Sequence, residues 1–243
     1  MMPMPDSDPD PILLLTRPEA AGQRFAVQVG LTLPTVFAPL LRIDLLAVMV
    51  ATSGLAGIIL TSENGALAAA RLPGLPREAW CVGDRTAEAA LAEGLLPQSA
   101  AGDANALIDL ILSQPVAGPL LHVRGEHSRG EVAARLIAAG RDVRQVIAYR
   151  QVPLPLSAAA LSALHSTASV ILPLFSPRTV SILAQQGPFT APLHLVAISP
   201  AVANSGMTLH PATVLTARRP EAACMADLVR QAIDVAIKWP RGP

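Results

Sequence analysis

The sequence predicts a parallel α/β fold, and three observations carry that prediction. Short unbroken apolar runs such as "ILLLT" (12–16) and "GIIL" (57–60) have the length and composition of strands buried on both faces of a sheet. Helical stretches built on small residues alternate with them almost throughout. Several of the runs end in short polar residues just where the next helix opens, as in "GIILTSENGALAAA" (57–70).

Residues 1–10 read as a disordered lead, and 12–16 is the first strand, ended by Arg17 and Pro18. A helix over 19–30 closes on Gly30; "PTVFAPLL" (34–41) is a second strand, followed by a helix over 44–52 and a strand over 57–61. The next helix is capped by Thr61 or Ser62, with Asn64 in its first turn, and runs to about Arg71. "AWCVG" (79–83) is a strand, 84–94 a helix ended by Gly94, and Asn105 to Ser113 a helix. "PLLHVRG" (119–125) is a strand, 129–139 a helix ended by Gly140, and "RQVIAYR" (144–150) a strand. "QVPLPLSAAA" breaks the rhythm with two prolines, as a crossover between domains would. Helix (157–165), strand (169–175), helix (178–186), strand (193–198), helix (200–206), a short strand near 213–216 and a last helix over 220–237 complete the chain. Pro173 removes a ladder donor, so its strand is expected at an edge or a bulge.

The pattern repeats. "GIILTSENGALAAA" has a counterpart in "VILPLFSPRTVSILA" (170–184), which sets Ser62 against Ser176. Gly83 then matches Ser199, Arg17 of "LLLTRPEA" matches Arg124 of "LLHVRGEH", and Ala38 of "VFAPL" matches Ala148 of "VIAYR". Four pairs in one order read as a duplicated four-strand unit, near 12–95 and 119–206.

Composition narrows the function. The chain has 243 residues, of which 51% are hydrophobic and 3% aromatic, so its core is aliphatic. Zero formal net charge gives no basic field for long nucleic acid. Among its cations seventeen are Arg and one is Lys, which suits carboxylate or phosphate recognition and equally follows from a GC-rich genome. Two cysteines, Cys81 and Cys224, form no disulfide framework and no metal spacing, and the acidic start "MMPMPDSDPD" is no signal peptide, so a reducing cytoplasm is expected. The apolar run 45–60 is interrupted by Thr52, Ser53 and Gly54, which reads as helix, turn and strand and not as a membrane span.

In open parallel sheets ligands bind beyond the carboxyl ends of the strands. Thr16, Arg17, Ser62, Asn64, Gly83, Thr86, Arg124, Gly125, Ser176, Arg178 and Ser199 are all expected there. Short hydroxyls, glycines, helix-start amides and a few arginines suit several anionic groups, and suit covalent catalysis poorly. There is no GxGxxG after a strand, no Walker A loop and no GxSxG elbow, and the five histidines lack metal spacing. His122 and His194 sit in strand patterns and read as satisfied structural histidines. Tyr149, the single tyrosine, is open to two readings: a boundary residue whose hydroxyl meets water, or a proton donor.

Taken in order, "LLLTRPEA", "IILTSENGA", "CVGDRTAEAA", "LLHVRGEHSRGEVAARLIAAGRDV", "VIAYR", "LFSPRTVSIL" and "LVAISPAVA" resemble the uroporphyrinogen-III synthase family over residues 12 to about 206. The resemblance implies two similar doubly wound, flavodoxin-like α/β domains on a discontinuous chain path. One would take 1–38 and 154–243 and the other 42–147, with linker strands at 38–42 and 147–153. It implies a lyase of haem biosynthesis that needs no metal and no cofactor. The substrate is hydroxymethylbilane, a linear tetrapyrrole with eight carboxylates. Its terminal ring loses hydroxyl as water, the azafulvene attacks the substituted carbon of the far ring, and a spiro intermediate leads to closure with that ring inverted. Without the enzyme, closure gives the uninverted isomer I. Tyr149 is then the residue that assists departure of the hydroxyl, and Ser62, Asn64, Gly83, Thr86, Arg124, Gly125, Ser176, Pro177 and Ser199 line the cleft.

The chain departs from the family at Ala201 and Val202, where threonines are frequent, and at Ser199, where glycine is common. A monomer with no membrane or nucleic-acid partner is expected. The instability of hydroxymethylbilane leaves room for a transient contact with hydroxymethylbilane synthase. Two other classes stand beside the enzyme: a non-catalytic two-lobed module that binds an anionic ligand, and a degenerate paralogue with a regulatory role.

Overall fold

The computed structural model describes residues 10–30, 33–127 and 130–239, so the expected lead over 1–10 lies almost wholly outside the described residues. The first half of the chain forms β1 (Ile12–Leu15), α1 (Glu19–Val29), β2 (Thr35–Phe37), β3 (Leu41–Leu45), β4 (Gly57–Leu60), α2 (Glu63–Ala69), β5 (Glu78–Cys81), α3 (Asp84–Ala92), β6 (Leu96–Ser99) and α4 (Ala104–Leu112). The second forms β7 (Leu120–Gly125), α5 (Val132–Ala138), β8 (Val143–Pro153), α6 (Ala158–Leu164), β9 (Val170–Leu174), α7 (Pro177–Ala184), β10 (Leu193–Ala197), α8 (Pro200–Gly206), β11 (Thr213–Thr216) and α9 (Ala222–Ile237). Gly30 and Gly94 take the left-handed backbone (φ +69° and +82°) just past α1 and α3, where a side chain would be strained.

The chain divides into two compact units: Ile43–Val152, and the residues up to Arg42 together with those from Pro153 onward. The sheet of the discontinuous unit has the order β11-β10-β9-β1-β2. Numbered along the chain within that unit, this is 2-1-3-4-5, the flavodoxin-like order. The other sheet runs β3-β8-β7-β4-β5-β6. Leaving out β3, its order matches the first strand for strand: β8 stands where β2 does, β7 for β1, β4 for β9, β5 for β10 and β6 for β11. Every pair expected from the duplication (Arg17 with Arg124, Ala38 with Ala148, Ser62 with Ser176, Gly83 with Ser199) falls on matching strands. Leaving out β3, each unit therefore takes two strands from one repeat, two from the other, and a fifth that lies just past that other repeat's end.

Both sheets are covered on both faces. In β1, Leu14 packs into one cluster with Leu172, Leu183 and Leu195, while Leu13 and Leu15 pack on the opposite face with Phe25, Met225 and Val229. In β4, Ile58 and Leu60 face Ala66, Ala69 and Cys81, and Ile59 faces Trp80, Leu107 and Leu136. Parallel strands buried on both sides need continuous apolar sequence, which is why these strands are plain in the chain.

Four expectations change. "PTVFAPLL" is not one strand: β2 ends at Phe37 and β3 begins at Leu41. The helix over 44–52 does not form; β3 runs to Leu45 and 46–52 is extended and irregular. Leu46, Val48 and Val50 turn toward the body of the unit while Ala47, Met49 and Ala51 turn to solvent, so a period of two outweighs helical propensity. β6 is additional to the expected strands: "LPQS" lacks an apolar run because it is an edge strand with an exposed side. Leu96 N–H bonds Arg77 O, which turns the Pro97 nitrogen outward.

Pro173, lastly, lies at neither an edge nor a bulge but in β9, between β10 and β1. Val170 N–H bonds Pro192 O on the β10 side, so the odd-numbered nitrogens of β9 face β1. Pairing with β1 stops at Leu13↔Ile171, one step before a donor at 173 would be needed.

Candidate functional site

Four strand ends turn into helices through the same backbone. Ser62 (φ −162°, ψ 156°), Gly83 (−163°, 174°), Ser176 (−157°, 147°) and Ser199 (−158°, 161°) are the N-caps of α2, α3, α7 and α8. Ser62 Oγ accepts the Gly65 N–H at 3.0 Å, Ser176 Oγ the Thr179 N–H at 3.1 Å and Ser199 Oγ the Val202 N–H at 3.4 Å. Gly83 leaves α3 without a side-chain cap. In each unit, two adjacent strands end in such turns beside the point where the strand order reverses, the place where sheets of this kind take ligands.

One of these caps meets another candidate. Ser62 Oγ lies 2.7 Å from Tyr149 Oη. Tyr149 gets there through a register shift: Arg124 pairs with Ile147, but Gly125 pairs with Tyr149, so Ala148 is the extra residue of a bulge in β8. The bulge turns consecutive residues the same way. Ala148 and Tyr149 are both buried in the cluster under α2, and Tyr149 is 5% exposed. Gly125 makes room for the ring, since a Cβ there would stand 2.5 Å from Tyr149 Cε2. The Tyr149 carbonyl accepts the Glu126 N–H at 3.0 Å. The boundary reading of Tyr149, with its hydroxyl in water, is thus replaced by a buried ring with a fixed partner.

The other candidates are placed differently. Arg124 folds back on its own strand end, with Nε donating to Gln145 Oε1 at 2.9 Å and a terminal nitrogen to Gly125 O at 3.0 Å. Arg17 lies over the Phe175 ring at 4.1 Å, next to the Ser176 cap. Pro177 and Arg178 open α7, half-buried. Asn64 is half-buried in the first turn of α2. Thr16 and Thr86 are 2% and 5% exposed as whole residues.

Neither His122 nor His194 is fully satisfied. His122 Nε2 meets Thr61 Oγ1 at 3.2 Å and His194 Nδ1 meets Thr213 Oγ1 at 2.9 Å, while the other nitrogen of each ring is buried with no partner among the described residues. Burial, with the Arg124 guanidinium second, pushes the His122 pKa down to about 4, so the ring is neutral near pH 7. Burial lowers His194 as well. Thr61, one of the two possible caps of α2 in the sequence, leaves that place to Ser62 and bonds His122 instead. Gln145 and the bulge at Ala148 carry no signal in the sequence.

Among the described residues no cluster of three or more His, Cys, Asp or Glu could hold a metal ion, and no helix is long and apolar enough to cross a membrane. The family model described as Uroporphyrinogen-III synthase HemD matches residues 33–227. Among solved structures, uroporphyrinogen-III synthetase from Helicobacter pylori 26695 is 14% identical with a TM-score of 0.68, covering 91% of this chain and 99% of that one. A mutant uroporphyrinogen III synthase from the extremely thermophilic bacterium Thermus thermophilus is 13% identical with a TM-score of 0.49, covering 92% and 99%. No curated protein matches the sequence. The Helicobacter structure shares the fold, and the family model spans far more than half of the sequence, from just before β2 into α9: the chain belongs to the uroporphyrinogen-III synthase family.

Proposed function

We propose that Tyr149 is the residue on which this family's reaction turns in this chain. The protein is a lyase of haem biosynthesis, and its reaction closes hydroxymethylbilane to uroporphyrinogen III with loss of water. One observation carries the assignment: the Ser62–Tyr149 hydrogen bond of 2.7 Å, held by the β8 bulge over a glycine that only a bare backbone can occupy. Ser62 Oγ already accepts the Gly65 N–H, so its own proton is free to point at Tyr149 Oη. Tyr149 then keeps its proton for the departing hydroxyl of the terminal ring, which leaves as water. The azafulvene so formed attacks the substituted carbon of the far ring. In the spiro intermediate so formed, the bond from that carbon to its original bridge carbon breaks, the bridge carbon bonds instead to the ring's free carbon, and the proton this carbon loses as the ring regains aromaticity balances the one Tyr149 supplied.

Carboxylates of the substrate are taken by the strand-end turns: Ser62, Asn64, Gly83, Arg124 and Gly125 on one unit, Arg17, Ser176, Arg178 and Ser199 on the other, where Pro177 lines the turn without a donor of its own. Thr16 and Thr86, at the same strand ends, add hydroxyls to these turns. The azafulvene is intrinsically reactive, so the main task of the protein is to hold one folded conformer. We infer that the substrate arrives by transient contact with the deaminase that makes it, because hydroxymethylbilane does not survive long in water.

A coupled assay tests the reading. Hydroxymethylbilane is generated in situ from porphobilinogen, the protein is added, and the oxidised porphyrin isomers are separated by chromatography. Isomer III is expected. Isomer I alone, from a folded protein, would mean that the scaffold has outlived the reaction.

A further inference from the structure

The end of β4 is tied down on both faces. Strand pairing with β5 and with β7 stops at Leu60. Beyond it, side chains hold the next two residues. On the face under α2, Ser62 Oγ meets Tyr149 Oη at 2.7 Å. On the face under α4 and α5, Thr61 Oγ1 meets His122 Nε2 at 3.2 Å. The alternation of the strands sets these faces. Ile58 and Leu60 pack under α2, whereas Ile59 packs with Leu107, Leu136 and Leu120. His122 lies opposite Ile59 in the register of β4 and β7.

The other unit shows what the scaffold alone requires. There Leu15 stands for His122 and Phe175 for Thr61, and both pack beneath α1 and α9. Ser176 caps α7 with nearly the backbone of Ser62, so an apolar pair builds the same turn. Its hydroxyl turns to Thr179 of its own helix, at 2.8 Å. The polar pair is the less stable choice. His122 is 2% exposed, and its Nδ1 has no partner among the described residues. A buried imidazole with an orphan nitrogen is worse for folding than a leucine. Burial, with the Arg124 charge second, keeps the ring neutral near pH 7, so it carries one N–H. That proton belongs on Nε2, because buried N–H groups are left unpaired more rarely than buried acceptors. Nε2 therefore donates to Thr61 Oγ1. A scaffold rule is broken in the unit whose cap serine meets a tyrosine, which is where function outweighs stability.

We propose that His122 is a positioning residue for the reaction: by holding Thr61 it fixes the strand end from which Ser62 meets Tyr149. Thr61 and Ser62 are consecutive, so a rotation of the peptide between them moves both. With Thr61 tied to β7 and Ser62 to the bulge of β8, the turn cannot slip toward either strand without breaking a hydrogen bond. Without His122, only the Tyr149 contact and the cap bond to Gly65 hold Ser62, and the cap bond moves with α2. A misplacement of about 1 Å at a reacting group costs on the order of 10²-fold in rate. This role rests on the assignment of Tyr149 as the proton donor.

Three substitutions at His122 and one at Tyr149 test it. His122→Leu installs the residue that the other unit carries and is expected to fold. His122→Gln keeps an N–H where Nε2 stands, and His122→Asn is too short to reach Thr61. The Leu and Asn variants are expected to lower kcat for isomer III about 10- to 100-fold with KM little changed, and the Gln variant to recover most of the loss. Tyr149 is the single tyrosine of the chain, so one ζ-carbon-labelled tyrosine resonance reports its hydroxyl without any turnover. That resonance is expected to move in the Leu and Asn variants and to return in the Gln variant. A slow Tyr149→Phe beside a His122→Leu at wild-type kcat overturns the role of His122 and leaves Tyr149 standing. An unmoved resonance in His122→Leu overturns it too, as does a Gln variant no faster than the Leu one. Tyr149→Phe at the wild-type rate overturns the assignment of Tyr149 itself, and the positioning role with it.

Discussion

Ser62 Oγ and Tyr149 Oη meet at 2.7 Å across 87 residues of sequence, at the ends of strands from different halves of the duplication. The contact joins a helix cap to a bulged strand, and each half has a separate reason to exist. Removing either partner therefore separates catalysis from stability. Tyr149→Phe keeps the ring and loses only the hydroxyl; it is expected to lower kcat by about 10²–10⁴-fold, the range for a positioned proton donor, with little change in unfolding free energy. Ser62→Ala loses the cap as well and strands a buried phenol, a stability loss of about 2 kcal/mol. Isomer III formation and urea unfolding on both variants check this. A Tyr149→Phe protein with wild-type rate would remove Tyr149 from the mechanism.

Gly125 is the least substitutable position of the site, for reasons of space and not of backbone strain. Its added Cβ would sit 2.5 Å from Tyr149 Cε2 and 2.7 Å from Cζ, against a ring wedged in the core and unable to swing aside cheaply. Gly125→Ala is expected to displace the phenol from Ser62 and cut kcat about 10²-fold, while costing about 1–3 kcal/mol of stability as an overpacked contact. Combining Gly125→Ala with Tyr149→Phe checks the cause. If the glycine acts only through the tyrosine hydroxyl, the double variant turns over no more slowly than Tyr149→Phe alone.

Much of the fold was legible because two-sided burial writes itself into the chain. Ile58, Ile59 and Leu60 face different cores, so all three must be apolar. The duplication was legible for the same reason, and the serine caps because a strand-to-helix turn needs an oxygen at that place. What was hidden depends on partners distant in sequence. Nothing in "IAYR" shows that Ala148 is an extra residue; that follows from its register against Arg124 and Gly125. Residues 46–52 look helical in sequence because Leu, Ala and Met favour helix, yet Val48 and Val50 have a cluster to fill on alternate positions. Arg124 looked like a ligand-binding arginine, and part of its fork is spent on Gln145 and on the end of its own strand.

His122 sets a pH dependence. Its counterpart in the other unit is Leu15, and Thr61 matches Phe175, so the scaffold does not require a polar pair at this place. With the folded pKa near 4 and the free value near 6.5, the unfolded chain binds more protons between them, and stability falls as pH drops through that window. The shift corresponds to about 3 kcal/mol, fully present above pH 6.5 and lost toward pH 4. His122→Leu is expected to flatten that part of the stability profile and to leave the protein relatively more stable at pH 5 than the wild type. Denaturant titrations at pH 7.5 and 5 read the difference. A wild type and a variant with parallel profiles would mean that the ring is hydrated or already charged in the folded protein.

Arg141 closes the end of α4 from a neighbouring loop. One terminal nitrogen donates to the carbonyls of Ile111 (3.2 Å), Leu112 (3.2 Å) and Gln114 (2.7 Å), and the other to Val116 O at 3.4 Å. The Ile111 and Leu112 carbonyls lie in the last turn of α4, which a helix cannot fully satisfy for itself and where the dipole favours a cation; those of Gln114 and Val116 belong to the loop that follows. The loop it holds also carries Gln114, whose side chain accepts the Trp80 indole N–H at 2.8 Å and donates to Gln98 at 2.7 Å. Arg141→Met keeps the length of the side chain and loses every donor; a destabilisation of about 2–3 kcal/mol is expected, larger than for a lone surface arginine. Arg141→Lys is expected to recover less than half of it, because a single ammonium cannot reach carbonyls spread along a planar fork. Urea midpoints of the three proteins measure the ladder. Isomer III formation at saturating substrate, well below the unfolding transition, should be unchanged in both variants, since no group at this end of α4 belongs to the Ser62–Tyr149 contact. A lysine variant as stable as the wild type would reduce the role of Arg141 to its charge.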